Sequence, residues 1–376
     1  MPCLHNFPDS EESRKKGYKI LLFLISPFIS FIYSIFSIKT KSSKVIFYLF
    51  CLFFGLSFTI GAERSIDLDG SAYRALFEFY ARSQSYVFFR ELRDYLSFDG
   101  IRSDFLVNIV AFGVSRFTGN YHYFFLVIAG IFAYFQLKSI HFLVSDNKFT
   151  YSLIPFILLL LFSWNTIFNI NGMRFWTAAW IAVFSSLKII LSGQNRYFAL
   201  LLVTPFIHGS YFLYIPMLLF GLIFRKYETA WFVLFILSFI VSNLFIEIMQ
   251  YAVDVLPGFL GTKLSWYASE EAIAARANYT GTGFYWVDKL FKIFARFHLV
   301  FLIIALFYHR RVISNNNILS LFRFTLVYVT ICNFLFCIPS LGVRFINLSY
   351  PFLALITLDL YKASKIIQIT ILALPF

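Results

Sequence analysis

Three basic side chains stand in or at the end of long apolar stretches. Arg174 occurs in Asn-Gly-Met-Arg-Phe-Trp, between the apolar runs 151–168 and 175–191. His208 occurs in Phe-Ile-His-Gly-Ser-Tyr, and Arg344 in Gly-Val-Arg-Phe-Ile-Asn. A guanidinium at a membrane helix end is costly unless it has a partner or an anionic ligand. These three residues are therefore the first candidates for a functional site.

Each of them has a structural and a functional interpretation. Arg174 and Arg344 either anchor a helix at the membrane surface or bind phosphate, to which the planar guanidinium is well matched. His208 either packs with a hydrogen bond to a carbonyl or takes a proton from a hydroxyl, since imidazole titrates near neutrality. The neighbouring polar side chains complete this set of candidates: Asn171, Tyr211 and Tyr350.

Further charged candidates lie in two polar regions. Arg64 and Asp67 follow the apolar run 45–61, and Arg102 stands later in the same region. A second group is spaced i, i+3, i+7, which places its members on one helix face: Lys289, Lys292 and Arg296. This basic stripe is either an interfacial anchor or a surface that faces a diphosphate.

Several classes of site are excluded by what the sequence lacks. It contains no glycine-rich phosphate loop, no nucleotide-binding fingerprint and no metal-ligand cluster, so no metal and no cofactor are expected. None of the four cysteines has a metal-binding spacing, so neither zinc nor disulfides are expected: Cys3, Cys51, Cys332 and Cys337.

The composition is that of an integral membrane protein. Of 376 residues, 60% are hydrophobic and 14% charged, and apolar runs of about 18–25 residues recur without the alternation of β-barrel strands. We predict an all-α polytopic protein with about 10–12 transmembrane or re-entrant helices. The predicted segments are 19–38, 45–61, 122–144, 151–168, 174–191, 197–224, 229–252, 288–308, 318–338 and 346–361. No internal repeat is present, so residues 1–376 are interpreted as one integral domain.

The net charge of +13 lies in short connections, which indicates topology and not nucleic-acid binding. By the positive-inside rule the cytoplasmic connections contain Lys39/Lys41/Lys44, Lys148, Arg196, Arg225/Lys226, Arg310/Arg311 and Lys362/Lys365. The opposite, non-cytoplasmic side then receives the loop 62–121, the turns 169–174 and 339–345, and the long loop 254–287. Within the first loop, 103–118 is predicted to lie against the membrane. Arg174 and Arg344 therefore share one predicted side.

Two segments do not fit simple crossings. Segment 197–224 must enter and leave on one face, and Pro205, Gly209 and Pro216 favour a broken, re-entrant pair of half-helices with His208 near the tip. Segment 19–38 follows a basic stretch that favours a cytoplasmic start, yet an outward 45–61 requires that it not cross fully. Pro27 permits a kink or a hairpin, and the sequence leaves this open.

The order of these motifs resembles the EpsG-type branch of the Wzy polymerases of O-antigen and exopolysaccharide. The resemblance covers roughly 60–360 and rests on Asp67…Tyr73, Asn-Gly-Met-Arg174-Phe-Trp-Thr-Ala, Phe-Ile-His208-Gly-Ser-Tyr and Val-Arg344-Phe…Tyr350. Two positions depart from the branch pattern: Phe175 replaces a glutamine, and Gly209 replaces a tyrosine or phenylalanine.

The resemblance implies a bacterial inner-membrane enzyme with a GT-C-like architecture, similar to O-antigen ligases, and a periplasmic active site. Such enzymes transfer a glycan from undecaprenyl diphosphate onto a lipid-linked repeat unit, and a chain-length regulator is a further possible partner. Arg174 and Arg344 would hold a diphosphate, and His208 or Asp67 would orient or deprotonate the acceptor hydroxyl. The basic stripe would add positive field. A lipid-linked oligosaccharide transporter and a membrane acyltransferase are the alternative functions.

Overall fold

The computed structural model describes residues 9–60, 69–97, 104–145, 153–239, 285–338 and 341–361, with single positions between 247 and 269. This part of the chain consists of helices and their connections, without a strand. Five stretches in it are long and apolar enough to cross a membrane: His122–Val144, Ile157–Ser192, Ile293–Val312, Asn316–Phe334 and Leu341–Leu360. The prediction of an all-α polytopic membrane protein is thus confirmed.

The chain divides into two compact units. Unit 1 comprises Met1–Arg90, Leu106–Tyr151 and Thr166–Thr177, and unit 2 comprises Glu91–Phe105, Ser152–Asn165 and Ala178–Phe376. The helices that begin in unit 1 are α1 (Asp9–Ile25), α2 (Pro27–Phe36), α3 (Lys41–Ser57), α4 (Asp69–Arg82), α5 (Ser85–Leu96), α6 (Leu106–Ser115), α7 (His122–Val144) and α9 (Met173–Ser192). Both α5 and α9 continue into unit 2.

The remaining helices belong to unit 2. They are α8 (Leu153–Phe162), α10 (Tyr197–Leu201), α11 (Thr204–Ile207), α12 (Tyr211–Phe224), α13 (Glu228–Leu237), α14 (Tyr285–His309), α15 (Asn316–Phe334), α16 (Leu341–Asn347) and α17 (Tyr350–Leu360). Three short 3₁₀ segments connect them or precede α9: Ile167–Gly172, Arg310–Val312 and Leu335–Cys337.

In unit 1, α3 and α7 pack closely along their lengths. A Cβ atom at Gly55 of α3 would lie 2.6 Å from the Cβ of Ala129 and 2.7 Å from the carbonyl oxygen of Phe125, both in α7. Only glycine permits this approach, because any side chain would push the two backbones apart.

The N-terminal apolar segment of unit 1 is a helical hairpin. The chain reverses at Ser26, and the Ser30 hydroxyl donates to the Lys19 carbonyl oxygen over 3.0 Å, while the rings of Tyr18 and Tyr33 meet edge to face. Because residues 18–19 of α1 face residues 30–33 of α2, the two helices are antiparallel. Of the two conformations that Pro27 permits, the hairpin is the one adopted.

Lys19 fastens this hairpin to the start of α3. Lys19 is 3% exposed, and its ammonium lies within hydrogen-bond distance of four hydroxyl groups: those of Ser43 (2.6 Å), Ser37 (3.0 Å), Thr40 (3.2 Å) and Ser42 (3.3 Å). Three rotatable N–H donors on a long stem suit such a cluster better than a planar guanidinium would.

We expect Lys19→Met to lower the free energy of unfolding by about 1–3 kcal/mol, because buried hydroxyls lose their shared donor. Thermal unfolding of the detergent-solubilised protein measures this. Lys39→Met is the matched control, since Lys39 is exposed at the same end of the hairpin. Equal unfolding temperatures for the two variants would show that the Lys19 contacts do not stabilise the hairpin.

In unit 2, segment 197–224 is broken at His208 as predicted. The short helix α11 ends at Ile207, His208 is extended (φ −151°, ψ 119°), and α12 begins at Tyr211. Pro216, however, lies inside the continuous helix α12, so the expectation that it contributes to the break is wrong. Membrane-protein helices tolerate an internal proline where neighbouring groups satisfy the freed carbonyl.

A charged cluster joins the start of α13, the segment that follows α14, and α15 within unit 2. The Glu228 carboxylate, at the start of α13, accepts from Arg310 Nε over 3.1 Å and from Arg323 Nε over 2.9 Å. Burial raises the pKa of Glu228, but the hydrogen bonds from Arg323 and Arg310 outweigh it, and the pKa lies below its ordinary value.

We expect Glu228→Gln to destabilise the protein by about 1–3 kcal/mol at neutral pH, since two arginines lose a partly buried counter-charge. A lowered carboxylate pKa stabilises the fold above the unfolded-state pKa, and this contribution disappears as the pH falls through the folded-state pKa. Unfolding temperatures of both proteins should therefore converge in acid. A constant difference from pH 7 to acid would contradict this role.

Candidate functional site

Arg174 lies in the first turn of α9 in unit 1, and Tyr73 of α4 orients it. Arg174 Nε donates to the Tyr73 hydroxyl over 2.9 Å, and the guanidinium carbon is 5.3 Å from the centre of the tyrosine ring. Tyr73 is 5% exposed, whereas Arg174 is half-buried. A rigid tyrosine thus contacts the Nε edge of the guanidinium, the edge farther from the two terminal nitrogens.

Asn171 fixes the turn that precedes Arg174. Its side-chain Oδ1 accepts from the backbone N–H of Gly70 over 2.8 Å, which joins this turn to the start of α4. A Cβ atom at Gly70 would lie 2.6 Å from that oxygen, so a larger residue there would displace the Asn171 side chain. Asn171 therefore has a positioning contact within unit 1, and it stabilises the helix on which Tyr73 stands.

The arginine next to Tyr73 serves the fold instead. Arg74 Nε donates to Glu78 over 2.7 Å, its Nη1 donates to the Ile60 carbonyl oxygen over 2.6 Å, and its guanidinium stacks over the ring of Tyr121. The hydrogen bond with Glu78 raises the pKa of Arg74. Tyr73 and Arg74 are neighbours in the sequence but contact different groups, and the sequence alone does not predict this difference.

In unit 2, the imidazole of His208 is held by Ser210. The backbone N–H of Ser210 donates to His208 Nδ1 over 3.3 Å, and the Ser210 hydroxyl lies 2.8 Å from the same nitrogen. A nitrogen that accepts from a backbone N–H carries no proton itself, so this pattern assigns the proton of the neutral ring to Nε2. The Nε2–H is consequently the hydrogen-bond donor of the neutral His208 ring.

Residues 104–105 are hydrogen-bonded to the connection between α11 and α12. The backbone N–H of Gly209 donates to Asp104 Oδ2 over 3.3 Å, and that of Phe105 donates to the Phe206 carbonyl oxygen over 2.9 Å. Residues 104–105 therefore run along the residues that flank His208. These two hydrogen bonds fix the connection around His208 to residues 104–105.

Arg344 lies in α16, close to the same break. Tyr211 is fully buried, and its ring lies 5.8 Å from Phe345 and 6.4 Å from His208. Phe345 directly follows Arg344, so this part of α16 lies against Tyr211. The structure thus brings His208, Tyr211 and Arg344 together at one end of unit 2.

This end is distant from the Arg225/Lys226 connection of unit 2. Helix α12 runs from Tyr211 to Phe224 and is about 21 Å long. At its far end Trp231 Nε1 donates to the Phe224 carbonyl oxygen, next to the Glu228 cluster. The His208–Arg344 end and the Arg225/Lys226 connection are therefore separated by the length of α12.

Arg296 is held between aromatic rings in α14. Its guanidinium carbon is 4.1 Å from the ring centre of Phe336 and 4.9 Å from that of Phe239, and Nη2 donates to Asn333 Oδ1 over 3.3 Å. Asn333 in turn donates to the Ser238 hydroxyl over 2.6 Å. Within the described residues the buried Nε atom of Arg296 has no hydrogen-bond partner.

The remaining predicted residues have mixed outcomes. Lys289 and Lys292 belong to the same helix as Arg296, which confirms the helical basis of the stripe. Tyr350 is buried, and its ring lies 5.3 Å from that of Trp164, so it packs within unit 2. Three candidates lie outside the described residues: Arg64, Asp67 and Arg102.

Four contributors were not among the predicted site residues. Tyr73 stood in a quoted motif without a role, while Ser210, Asp104 and Asn333 are polar residues whose partners are set by the fold. Only Ser210 had a recognisable sequence indication, since a serine two residues after a histidine can bond back to its ring. Across the described residues, no group of three potential metal ligands comes together.

Comparison with known families agrees with this arrangement of motifs. Neither the curated proteins nor the solved structures provide a match. A family model does match, over residues 46–376, and this range includes Tyr73, Arg174, His208 and Arg344. The match covers nearly the whole chain, and the protein belongs to the EpsG family.

Proposed function

We propose that this protein polymerises a polysaccharide by transferring an undecaprenyl-diphosphate-linked glycan onto a lipid-linked repeat unit at the periplasmic face of the inner membrane. The observation that carries the proposal is that His208 and α16, the helix of Arg344, both lie beside the buried Tyr211, at the end of α12 that is distant from the Arg225/Lys226 connection. By the positive-inside rule the Arg225/Lys226 connection is cytoplasmic, which supports a position of His208 and Arg344 toward the other side. Membership of the EpsG family supports the same function.

The proposed reaction exchanges one glycosidic oxygen for another. The bond between the anomeric carbon and the diphosphate oxygen breaks, and the acceptor hydroxyl oxygen forms the new bond after losing its proton. Undecaprenyl diphosphate leaves as an anion that needs positive charge more than a proton. Arg174 in unit 1 and Arg344 in unit 2 are each suited to bind such a diphosphate, because guanidinium binds phosphate oxygens through paired hydrogen bonds.

His208 supplies a hydrogen bond in this proposal and does not act as a base. Its Nδ1 atom is engaged by the backbone N–H of Ser210, and protonation there would bring two donors face to face. The Nε2–H orients the acceptor hydroxyl or a diphosphate oxygen. Asp67 stays the candidate for deprotonating the acceptor. The basic stripe of Lys289, Lys292 and Arg296 adds positive field near the leaving group.

Deletion of the gene tests the proposal in cells. A polymerase mutant should display surface glycan that consists of a single repeat unit and should lack the long-chain ladder. A transporter mutant would instead accumulate the lipid-linked unit on the cytoplasmic side. An acyltransferase mutant would make full-length polymer without its acyl groups. Either of the last two results would refute the polymerase proposal.

Ser210 provides a finer prediction about His208. We expect Ser210→Ala to retain most activity, since the backbone N–H remains, and Ser210→Pro to lose it by on the order of tenfold. Proline fits the backbone here, because Ser210 has φ −62° at the start of α12, yet it removes both donors. Polymer yield per molecule of membrane-inserted protein measures the effect. Equal activity of the two variants would show that the ring orientation is set elsewhere.

A further inference from the structure

We propose that the α1–α2 hairpin is a re-entrant element that inserts into one leaflet of the membrane, with lipid acyl chains covering its exposed surface. The hairpin precedes residues 46–376 that match the family model, so this inference is independent of the polymerase function. Three observations carry it: the depth of the hairpin, the distribution of its apolar side chains and the charge at its base.

The hairpin is too short to cross a bilayer. Helix α2 contains 10 residues and is about 15 Å long, roughly half of a 30 Å hydrocarbon core. Its rings pack along α3, from Phe31 against Phe47 to Phe28 against Phe50. The reversal at Ser26 is therefore reached while α3 still continues to its end at Ser57.

The outer surface of the hairpin is apolar up to its tip. Leu24 and Ile25 are 76% and 75% exposed, and Phe28 and Ile29 on the other side of the reversal are 54% and 57% exposed. The opposite face is covered by α3, where the rings of Phe31 and Phe50 stack 4.1 Å apart. An exposed apolar cluster of this kind marks a surface that contacts lipid or another protein.

The base of the hairpin is basic. Lys39 and Lys41 are exposed there, and the sequence places Arg14, Lys15 and Lys16 in the part of α1 that leads up to Lys19. Cations beneath an apolar tip match a leaflet with anionic phosphate headgroups above its acyl chains. The lysines favour the cytoplasmic leaflet by the positive-inside rule. Because the hairpin returns to the side on which it starts, α3 begins on the cytoplasmic side and can run toward the other side. A full crossing of 19–38 would instead place the start of α3 on the non-cytoplasmic side.

Single-cysteine variants of the full protein test this proposal in vesicles of phosphatidylethanolamine and phosphatidylglycerol. Gly17→Cys and Lys39→Cys report the two legs, and a side chain at Gly17 meets open space. Leu24→Cys reports the tip, and Val127→Cys, exposed on the candidate span α7, is the lipid-facing reference. Cys3 and Cys337 are replaced, and the buried Cys51 and Cys332 remain as the unlabelled background.

We expect an impermeant maleimide to label positions 17 and 39 from the same side and position 24 from neither side. A nitroxide at position 24 should resemble that at position 127, with high accessibility to oxygen and low accessibility to a water-soluble nickel complex. Labelling of 17 and 39 from opposite sides would overturn the proposal, as would nickel accessibility at 24. Spin–spin broadening at 24 would assign the surface to a second copy of the chain and would overturn it equally.

Discussion

Arg174→Ala should abolish long-chain polysaccharide while the protein still reaches the membrane in normal amount. Removing a preorganised charge from a leaving diphosphate costs on the order of 10²–10³-fold in rate, which is enough to leave only single repeat units. Gel analysis of surface glycan, with membrane-fraction quantification of the protein, measures both quantities. Normal polymer in this variant would show that Arg174 only anchors the start of α9.

Lysine at this position separates charge from geometry. Arg174→Lys keeps the charge but loses the planar fork and the Nε–H that meets the Tyr73 hydroxyl, so we expect partial rescue. Tyr73→Phe keeps the ring under the guanidinium and should reduce activity less than Arg174→Ala. Arg196→Ala is the control, because this exposed arginine lies over the ring of Tyr197 in a predicted cytoplasmic connection. Full rescue by lysine would contradict bidentate binding.

His208→Ala should likewise eliminate the polymer ladder, and two amide variants should identify which nitrogen matters. Glutamine can place an N–H donor near the position of Nε2, whereas asparagine reaches only the position of Nδ1. We therefore expect His208→Gln to retain a measurable fraction of activity and His208→Asn to retain none. A general base would be lost in both variants, since an amide accepts no proton at neutral pH. Equal inactivity of the two would therefore favour the base.

The proton location also has a direct spectroscopic test. In protein labelled with ¹⁵N in its histidines, we expect one histidine ring with an unprotonated Nδ1 and a protonated Nε2. The signals of this ring should be missing from the spectrum of the His208→Gln variant. The opposite tautomer in that difference spectrum would contradict the contact with Ser210.

Local rules predicted the helical segments of this chain better than its breaks. Pro205 and Gly209 indicated the interruption at His208, but Pro216 did not interrupt α12, because neighbouring helices decide whether a proline breaks a membrane helix. Pro27 could not distinguish a kink from a hairpin. That choice depends on the contact between Lys19 and Ser43, which are far apart in sequence.

The candidate residues were predictable by type and much less so by partner. The spacing of Arg296 placed it correctly on a helix, yet no periodicity could indicate that Phe239 and Phe336 enclose its guanidinium. Similarly, the cost of a charge at a helix end singled out Arg174, while its contact with Tyr73 arises from a residue 101 positions away. Tertiary packing sets these contacts, and the choice between the two ring nitrogens of His208 follows from them.

Reconstitution with a defined substrate tests the polymerase proposal most directly. Purified protein in lipid vesicles is incubated with a single undecaprenyl-diphosphate-linked repeat unit, without metal or nucleotide, and the glycans and the free carrier lipid are both quantified. We predict a ladder of products, with one undecaprenyl diphosphate released for each linkage formed. Arg174→Ala and His208→Gln should each form both products more slowly than the wild-type protein. Unchanged substrate in the presence of correctly folded wild-type protein, or carrier release without chain growth, would contradict the proposed function.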